Sequence, residues 1–557
     1  MEKQKVAVIG AGPSGLAATK NFLEVGGFDI SVYEKRGEVG GVWSYCKDPN
    51  MTSTLKATVS NVSKFGNSFT DFPIPDGMSP QYTIDQNYDL MTTDVVLEMP
   101  AHLTAAQTCD YMKSYAKHFS LEQYIQFNTS VKYIKRNPTD TRWELCIVSG
   151  DEREEVKEFD KVVVCSGLTD RATTPKIEGM EKFTGEMRHV QAFKKPDEFK
   201  AQRVLVVGIG NSGADTSTQL IGHASKIYLS HRGGVKILPR IIEGIPLDLV
   251  INRNLNLAKF FLDEHFPAFS RWSFDYTIEG YSKKGFPNPD PSWRLKPAPS
   301  LANHQPIISD NLVAGLREKK ITSVHGVKRF LGGKEVELSD GTKLEVDAVI
   351  WCTGYEPNFD IFRDYDPFAP VIPINTDKPK PANPQEPRLA NLYQNMFAPK
   401  YASSLAVMNY IALTDGAFTV IDVATMALSQ CWKATNPYPL PSLQEMSEWC
   451  SQHHAWVRSL TRNSTETAYT GIVRPGPYMH FLNEAAGTGV DDYLSYGRKG
   501  WGFWLKDRKM SGLMMRHVMT PFQYRYFEVP GRDGRKKWEG ARDAILHANE
   551  LAKQYKK

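Results

Sequence analysis

The chain has 557 residues, and its 67 lysines and arginines nearly balance 63 aspartates and glutamates, leaving a formal net charge of +4. That length leaves room for two to four domains around large cores. The charge balance excludes the strongly basic footprint of a nucleic-acid binder. The one local basic run, Arg532, Arg535, Lys536 and Lys537, reads as a solvated loop beside the last helix. Seven cysteines, none in a Cys-x-x-Cys pair, suggest a reducing compartment rather than a disulfide framework. The sequence opens directly on a strand pattern, so no signal peptide is expected. No run of 18 apolar residues occurs; the best stretch, Leu405 to Leu428, is broken by Asp415 and Asp422. These features place the expected protein in the cytoplasm, with no spanning membrane segment.

The first pattern organises the rest. Val6 to Ile9 reads as a buried parallel strand, and Gly10-x-Gly12-Pro13-Ser14-Gly15 follows, with helix-forming residues from Leu16 to Leu23. In a dinucleotide fingerprint the first glycine makes the tight turn. The second lets a pyrophosphate approach the backbone, and the third packs helix against strand. The helix N-terminus offers unpaired N–H groups to phosphate. A second strand, Asp29 to Tyr33, ends at Glu34, 24 residues after Gly10. A carboxylate there accepts from a ribose 2′-OH and repels a 2′-phosphate. After it, Gly37-Glu38-Val39-Gly40-Gly41-Val42-Trp43 removes side chains where a flat ligand would lie, with Trp43 placed to cover it.

Thr58 to Lys64 and Asp71-Phe72-Pro73 show no periodicity and read as loop. A helix is expected over about 104–118, then strands near 125–134 and 144–148, and a buried strand, Lys161 to Val164, running into Cys165-Ser166-Gly167. Arg203 to Val207 then enters a second turn, Gly208-Ile209-Gly210-Asn211-Ser212-Gly213. Its own second strand, Lys226 to Ser230, leads to His231 and Arg232, and Arg232 stands 24 residues after Gly208. Guanidinium in place of carboxylate inverts the preference, because arginine pairs a 2′-phosphate in bidentate geometry. One chain thus carries two dinucleotide sites of opposite preference, a non-phosphorylated ribose first and NADP second.

Residues 236–300 read as an irregular, partly helical insertion rich in aromatics and prolines. A helix is expected from Ile307 to Leu316 and a β-meander from Ile321 to Leu344. Ala348 to Trp351 is another buried strand, ending in Cys352-Thr353-Gly354-Tyr355. Beyond Pro437 only helices can be placed. The expected fold is α/β, with two Rossmann-like dinucleotide-binding domains, the NADP domain inserted in the FAD domain, and a mixed helical C-terminal extension. The expected boundaries are 1–180 and 331–435 for the FAD domain, 181–330 for the NADP domain and 436–557 for the extension.

Between the two turns lies Phe183-x-Gly185-x-x-x-His189-x-x-x-Phe193-Lys194. This resembles the identifying motif of the flavin-containing monooxygenases, class B flavoprotein monooxygenases; the related Baeyer–Villiger enzymes end that motif in Trp followed by Pro or Asp. Asn61-x-x-Lys64, Asp71-Phe72-Pro73, the second glycine turn and Trp351-Cys352-Thr353-Gly354-Tyr355 extend the resemblance from about residue 5 to about 425. No C-terminal membrane anchor like that of the animal enzymes is expected, and residues after 430 look unlike them.

The resemblance implies FAD at the first turn, held by Gly10, Gly12, Pro13, Ser14, Gly15, Glu34, Gly41, Val42 and Trp43, with Thr353 and Gly354 nearby. It implies NADPH at the second, held by Gly208, Gly210, Asn211, Ser212, Gly213 and Arg232. O2 adds to the reduced flavin as a C4a-hydroperoxide, and a small-molecule amine or sulfide takes the distal oxygen. Asn61 matches the family's active-site asparagine, which touches both cofactors; on residues alone it reads as a turn residue. A homodimer is left open. Three rivals stand beside this reading. A Baeyer–Villiger monooxygenase would act on a ketone, a disulfide reductase would need a reactive cysteine pair, and a nucleotide-sensing protein would not turn over.

Overall fold

A computed structural model describes residues 2–75, 101–150, 152–302, 304–369, 388–413, 415–435, 437–461, 471–532 and 534–555. Two five-stranded parallel sheets carry it. The first runs Leu405–Val407, Lys161–Val164, Gln4–Ile9, Phe28–Tyr33 and Ile125–Gln126 in spatial order. The second runs Ile321–His325, Lys226–His231, Arg203–Val207, Ala348–Trp351 and Glu186–His189. The strands expected from apolar runs are there, because a strand covered on both faces needs apolar residues at every position. Val6, Ala7, Val8 and Val204, Leu205, Val206 are fully buried.

The two halves repeat each other in topology, but with a one-residue difference: Tyr33 and Ser230 are equivalent, so His231 is the counterpart of Glu34 and Arg232 stands one residue further on. In each, the glycine-turn strand lies between the ribose-reading strand and a strand ending in Cys-Ser/Thr-Gly. Gly10 N–H donates to the Tyr33 carbonyl at 2.8 Å, and Gly208 N–H to the Ser230 carbonyl at 2.9 Å. Cys165 N–H donates to Ile9 and Cys352 N–H to Val207, both at 2.8 Å. Such a strand-order reversal opens a crevice at the carboxyl ends of the strands.

Several boundaries differ from the sequence reading. Ala348–Trp351 lies in the second sheet, so that unit runs past residue 330, where the sequence reading ended it. Ile321–His325 pairs in parallel with Lys226–His231 and belongs to the sheet; the meander is Val327–Gly332, Glu335–Leu338 and Lys343–Glu345. Residues 307–311 are a short strand, Ile307–Ile308, and a turn, and the helix is only Leu312–Arg317. The aromatic insertion is more regular than expected, forming the helices Arg253–His265 and Pro267–Gly285. The helix at Ala105–His118 begins with a capping box, Thr104 to Gln107, a signal present in the sequence.

The region after 436 shares the first unit's core. The helix Ala417–Trp432 is buried from Phe418 to Trp432, as a helix apolar all round must be. It packs between Pro13–Val25, which leaves the first glycine turn, and Pro475–Ala486 from the C-terminal part. Phe481, Leu482, Met510, Met514, Ile545 and Ala548 join the same cluster. Buried charge seals this junction. Arg525, 2% exposed, pairs with Glu24, donates to Asn21 Oδ1 at 2.7 Å and to Thr70 Oγ1 at 3.2 Å, and lies beside Asp71. Lys20 pairs with both Glu24 and Asp71. Burial alone would raise the Glu24 carboxyl, but Arg525 and Lys20 bring it down to about 2. The basic run is not a solvated loop throughout. Arg535 is buried and donates to the Phe527 and Tyr524 carbonyls, holding the chain end against the core. Among the described residues no helix is long and apolar enough to cross a membrane.

Candidate active site

Gly10 has φ +102° and Gly208 φ +109°, a region that favours glycine. A Cβ on either would meet the carbonyl oxygen of the neighbouring strand end, 2.7 Å from Cys165 and 2.4 Å from Cys352. At Gly15 and Gly213 a Cβ would fall 1.8 and 1.9 Å from the carbonyl oxygens of Gly10 and Gly208, so helix touches turn without a side chain between them. The middle glycines differ. Gly12 faces the Gly41 Cα at 3.4 Å, whereas Gly210 opens onto free space. The Gly40-Gly41 turn therefore lies against the first glycine loop, with Gly40 N–H donating to the Ala11 carbonyl at 3.2 Å.

Both following helices start without a side-chain cap. Pro13–Val25 has Gly12 as its N-cap with Pro13 in the first turn, and Asn211–Gln219 has Gly210. Uncapped N–H groups beside a bare glycine backbone suit a pyrophosphate. Ser14 is buried and Ser212 exposed in these first turns, while Asn211 Oδ1 accepts from Ile308 N–H at 3.0 Å. Val42 and Trp43 form a 3₁₀ turn with Gly41. The Val42 carbonyl accepts from Thr54 N–H at 2.7 Å, and Trp43 packs on the first core. Arg36, which sequence reasoning missed, holds this segment through the Ser44 and Thr52 carbonyls.

The two residues expected from the sequence to read the ribose are built differently. Glu34 is buried, and its carboxylate accepts from Ala11 N–H at 2.7 Å and Arg36 N–H at 2.9 Å. It fixes the glycine loop and keeps lone pairs for a hydroxyl donor. Arg232 is exposed, its stem beside Gly326, and it makes no ion pair or hydrogen bond among the described residues. A guanidinium left unpaired at the end of this strand suits an incoming phosphate.

Thr353 and Gly354 end the central strand's neighbour. Thr353 Oγ1 donates to the Thr173 carbonyl at 2.5 Å, and the Gly354 carbonyl accepts from Thr173 N–H at 3.1 Å and lies 3.0 Å from His189 Nε2. The Phe183-to-Lys194 motif thus has a positional task. Gly185 leaves room for the Asp347 carbonyl, and Phe193 is buried against Phe199. Gln191 reaches Thr52 at 2.7 Å, and Lys194 Nζ donates to the Met51 carbonyl at 2.7 Å, tying the second unit to the first.

Asn61 is exposed in an irregular loop, with Oδ1 accepting from Arg240 Nη2 at 2.9 Å. That bond assigns the carbonyl side of the amide to Arg240 and leaves Nδ2 as the outward donor. No hydrogen bond joins Asn61 directly to either glycine turn among the described residues. His102 supports the same loop, its Nδ1 3.2 Å from the Ser60 carbonyl. Burial first, and then the Arg240 charge, lower His102 to about 4, so the ring is neutral with its proton on Nδ1. Asp215, in the helix after the second turn, is raised to about 6 by desolvation; Arg240 opposes that rise and Asp310 adds to it. Arg240, Asp215 and His102 were invisible to sequence reasoning, since no local spacing links them to Asn61.

Two parallel sheets, each with a glycine turn and a ribose-reading strand, make up the fold of a flavin- and NADPH-dependent monooxygenase. The chain belongs to the flavin-binding monooxygenase-like (FMO-like) family, whose model matches residues 3–556. It is 34% identical over 551 residues, 99% of this chain and 98% of the relative, to monooxygenase aurF of Gibberella zeae. It is 28% identical to dimethylaniline monooxygenase [N-oxide-forming] 4 of Rattus norvegicus, across 98% of this chain and 86% of the relative. Among solved structures, the S-allyl-L-cysteine S-oxygenase of Allium sativum shares the fold with a TM-score of 0.59 at 17% identity, covering 99% of both chains. Cyclohexanone monooxygenase from Rhodococcus sp. Phi1 bound to NADP+ does so with a TM-score of 0.58 at 15% identity, covering 88% of this chain and 98% of that one.

Proposed function

We propose that this monooxygenase oxygenates a nucleophilic nitrogen or sulfur of a small molecule, with FAD on the first glycine turn and NADPH on the second. The observation that carries the reading is the contrast between Glu34 and Arg232. One is a buried carboxylate locked to backbone directly after the first unit's second strand, the other an exposed guanidinium without a partner one residue further along in the second unit. Phe193-Lys194 at the end of the linking motif favours this reaction over attack on a ketone.

Bound flavin, reduced by NADPH, would supply the chemistry: one atom of O2 goes to the substrate lone pair and the other leaves as water. The chain's part is placement. Gly12 and Gly41 would bring bare backbone to the first pyrophosphate, and Glu34 would accept from its ribose. Gly210 and the free N–H groups after it would receive the second nucleotide, with Arg232 on its 2′-phosphate. Asn61 Nδ2–H would donate into the reaction site, a dipole fixed in advance by Arg240. The cytoplasm and a small amine or sulfide as partner belong to the same reading.

Turnover with NADPH and O2 across a panel of amines, sulfides and ketones tests it. N-oxide or sulfoxide products with near-stoichiometric NADPH use support it. Esters or lactones from the ketones alone would move the chain to Baeyer–Villiger chemistry.

A further inference from the structure

The loop that carries Asn61 belongs to the first unit, yet side chains from the second unit hold it. Arg240 follows the short strand Ile237–Leu238, and its guanidinium serves the loop three times. Nε donates to the Ser60 carbonyl at 3.0 Å, and Nη2 donates to the Val59 carbonyl at 3.0 Å and to Asn61 Oδ1 at 2.9 Å. Asp248 takes the other end, accepting from Ser63 N–H at 3.2 Å and Ser63 Oγ–H at 2.6 Å. The two clamps sit on one hairpin, Ile241–Ile242 with Ile245–Pro246, closed by Leu247 N–H donating to the Arg240 carbonyl at 2.9 Å.

The hairpin is in turn fixed to the second fingerprint. Arg240 Nη1 and its backbone N–H both bond Asp310, at 2.6 and 2.9 Å. Asp310 follows Ile307–Ile308, which pairs in parallel with Ile237–Leu238. Ile308 N–H donates to Asn211 Oδ1, and Asn211 opens the helix of the second glycine turn. A path therefore runs from that turn by hydrogen bond to Ile308, along the backbone to Asp310, and by hydrogen bonds again through Arg240 to the Asn61 amide.

We propose that Arg240 and Asp248 are positioning residues that aim the Asn61 amide, so that the geometry of the second nucleotide's turn sets the first unit's oxygenation site. This inference rests on the role given to Asn61 above. Arg240 fills Asn61 Oδ1 and so fixes which edge of the amide points outward. Without the guanidinium the amide rotates and presents an acceptor as readily as a donor. The loop also loses two carbonyl anchors. Lysine cannot replace it, since a point charge cannot reach three acceptors and Asp310 in one plane.

The test is a double-mutant cycle of Arg240→Met and Asn61→Ala in full-length, FAD-loaded protein, reading product formed per NADPH consumed. If Arg240 acts through Asn61, Arg240→Met keeps its flavin and reduction by NADPH but lowers that ratio by about tenfold, a coupling of the usual size for such networks. The double variant is then no worse than Asn61→Ala. Additive losses would overturn the proposal, because Arg240 would then act elsewhere. Wild-type coupling in Arg240→Met beside an uncoupled Asn61→Ala also overturns it while leaving the Asn61 reading intact. Wild-type coupling in Asn61→Ala removes the premise instead, and the proposal falls with it. If Arg240→Met does not fold, Arg240→Lys and Asp248→Ala take its place in the cycle, with the same outcomes.

Discussion

Removing the Arg232 side chain separates nucleotide choice from everything else in the molecule. The residue is exposed, makes no hydrogen bond or ion pair among the described residues, and its stem lies beside Gly326. Arg232→Ala therefore leaves packing unchanged, and the melting temperature should stay within the scatter of surface substitutions. The loss falls on the 2′-phosphate contact. A charge-assisted bidentate pair contributes about 1.5–3 kcal/mol, with an exposed site at the lower end. At about 1.4 kcal/mol per decade this becomes a rise of roughly tenfold, at most about a hundredfold, in KM for NADPH. NADH lacks the phosphate, so its KM should not change. Steady-state oxidation of both nucleotides at fixed substrate reads the two numbers side by side. Equal losses for NADH and NADPH would refute the reasoning, because the arginine would then be shaping the whole turn.

Three further outcomes follow. Gly12→Val directs a branched side chain at the Gly41 Cα, 3.4 Å from where its Cβ would stand, and should yield protein without flavin absorbance; full flavin content would sink the placement. Asn61→Asp keeps the size but loses the Nδ2 donor and adds a charge, so NADPH consumption should appear as hydrogen peroxide, and wild-type coupling would return Asn61 to a turn residue. Arg525→Met leaves the buried Glu24 and Asp71 carboxylates to Lys20 alone among the described partners and should cost about 3 kcal/mol in denaturant unfolding. Glu24 is held at about 2, below its ordinary 4.5, so the stability it contributes is full above pH 4.5 and lost as pH falls towards 2. The wild-type melting temperature should fall across that window, and a flat profile would contradict the pairing.

The parts of the fold legible beforehand are those written locally. Val6 to Ile9 and Val204 to Val207 are apolar at every position because both sheet faces are covered, and Gly10, Gly15, Gly208 and Gly213 leave no room for a side chain. The helix expected over about 104–118 is found at Ala105–His118 for the same local reason. What stayed hidden depends on distant partners. Arg240 meets Asn61 across 179 positions, and nothing in either neighbourhood signals the other. Arg535 reads as part of a solvated basic run and nothing local marks Arg525, yet their partners bury both. Ala348–Trp351 was recognised as a strand but placed in the wrong unit, since an apolar strand does not state which sheet it joins.

The central claim is that an FMO-like chain with this Asn61 geometry transfers oxygen to a nitrogen or sulfur lone pair. The most direct measurement is product mass per NADPH consumed for a thioether and a ketone offered together to the FAD-loaded enzyme under 18O2. The account predicts sulfoxide carrying one 18O atom, with little hydrogen peroxide and the ketone unchanged. Labelled ester with intact thioether, or NADPH consumed only to peroxide with every substrate offered, would contradict it.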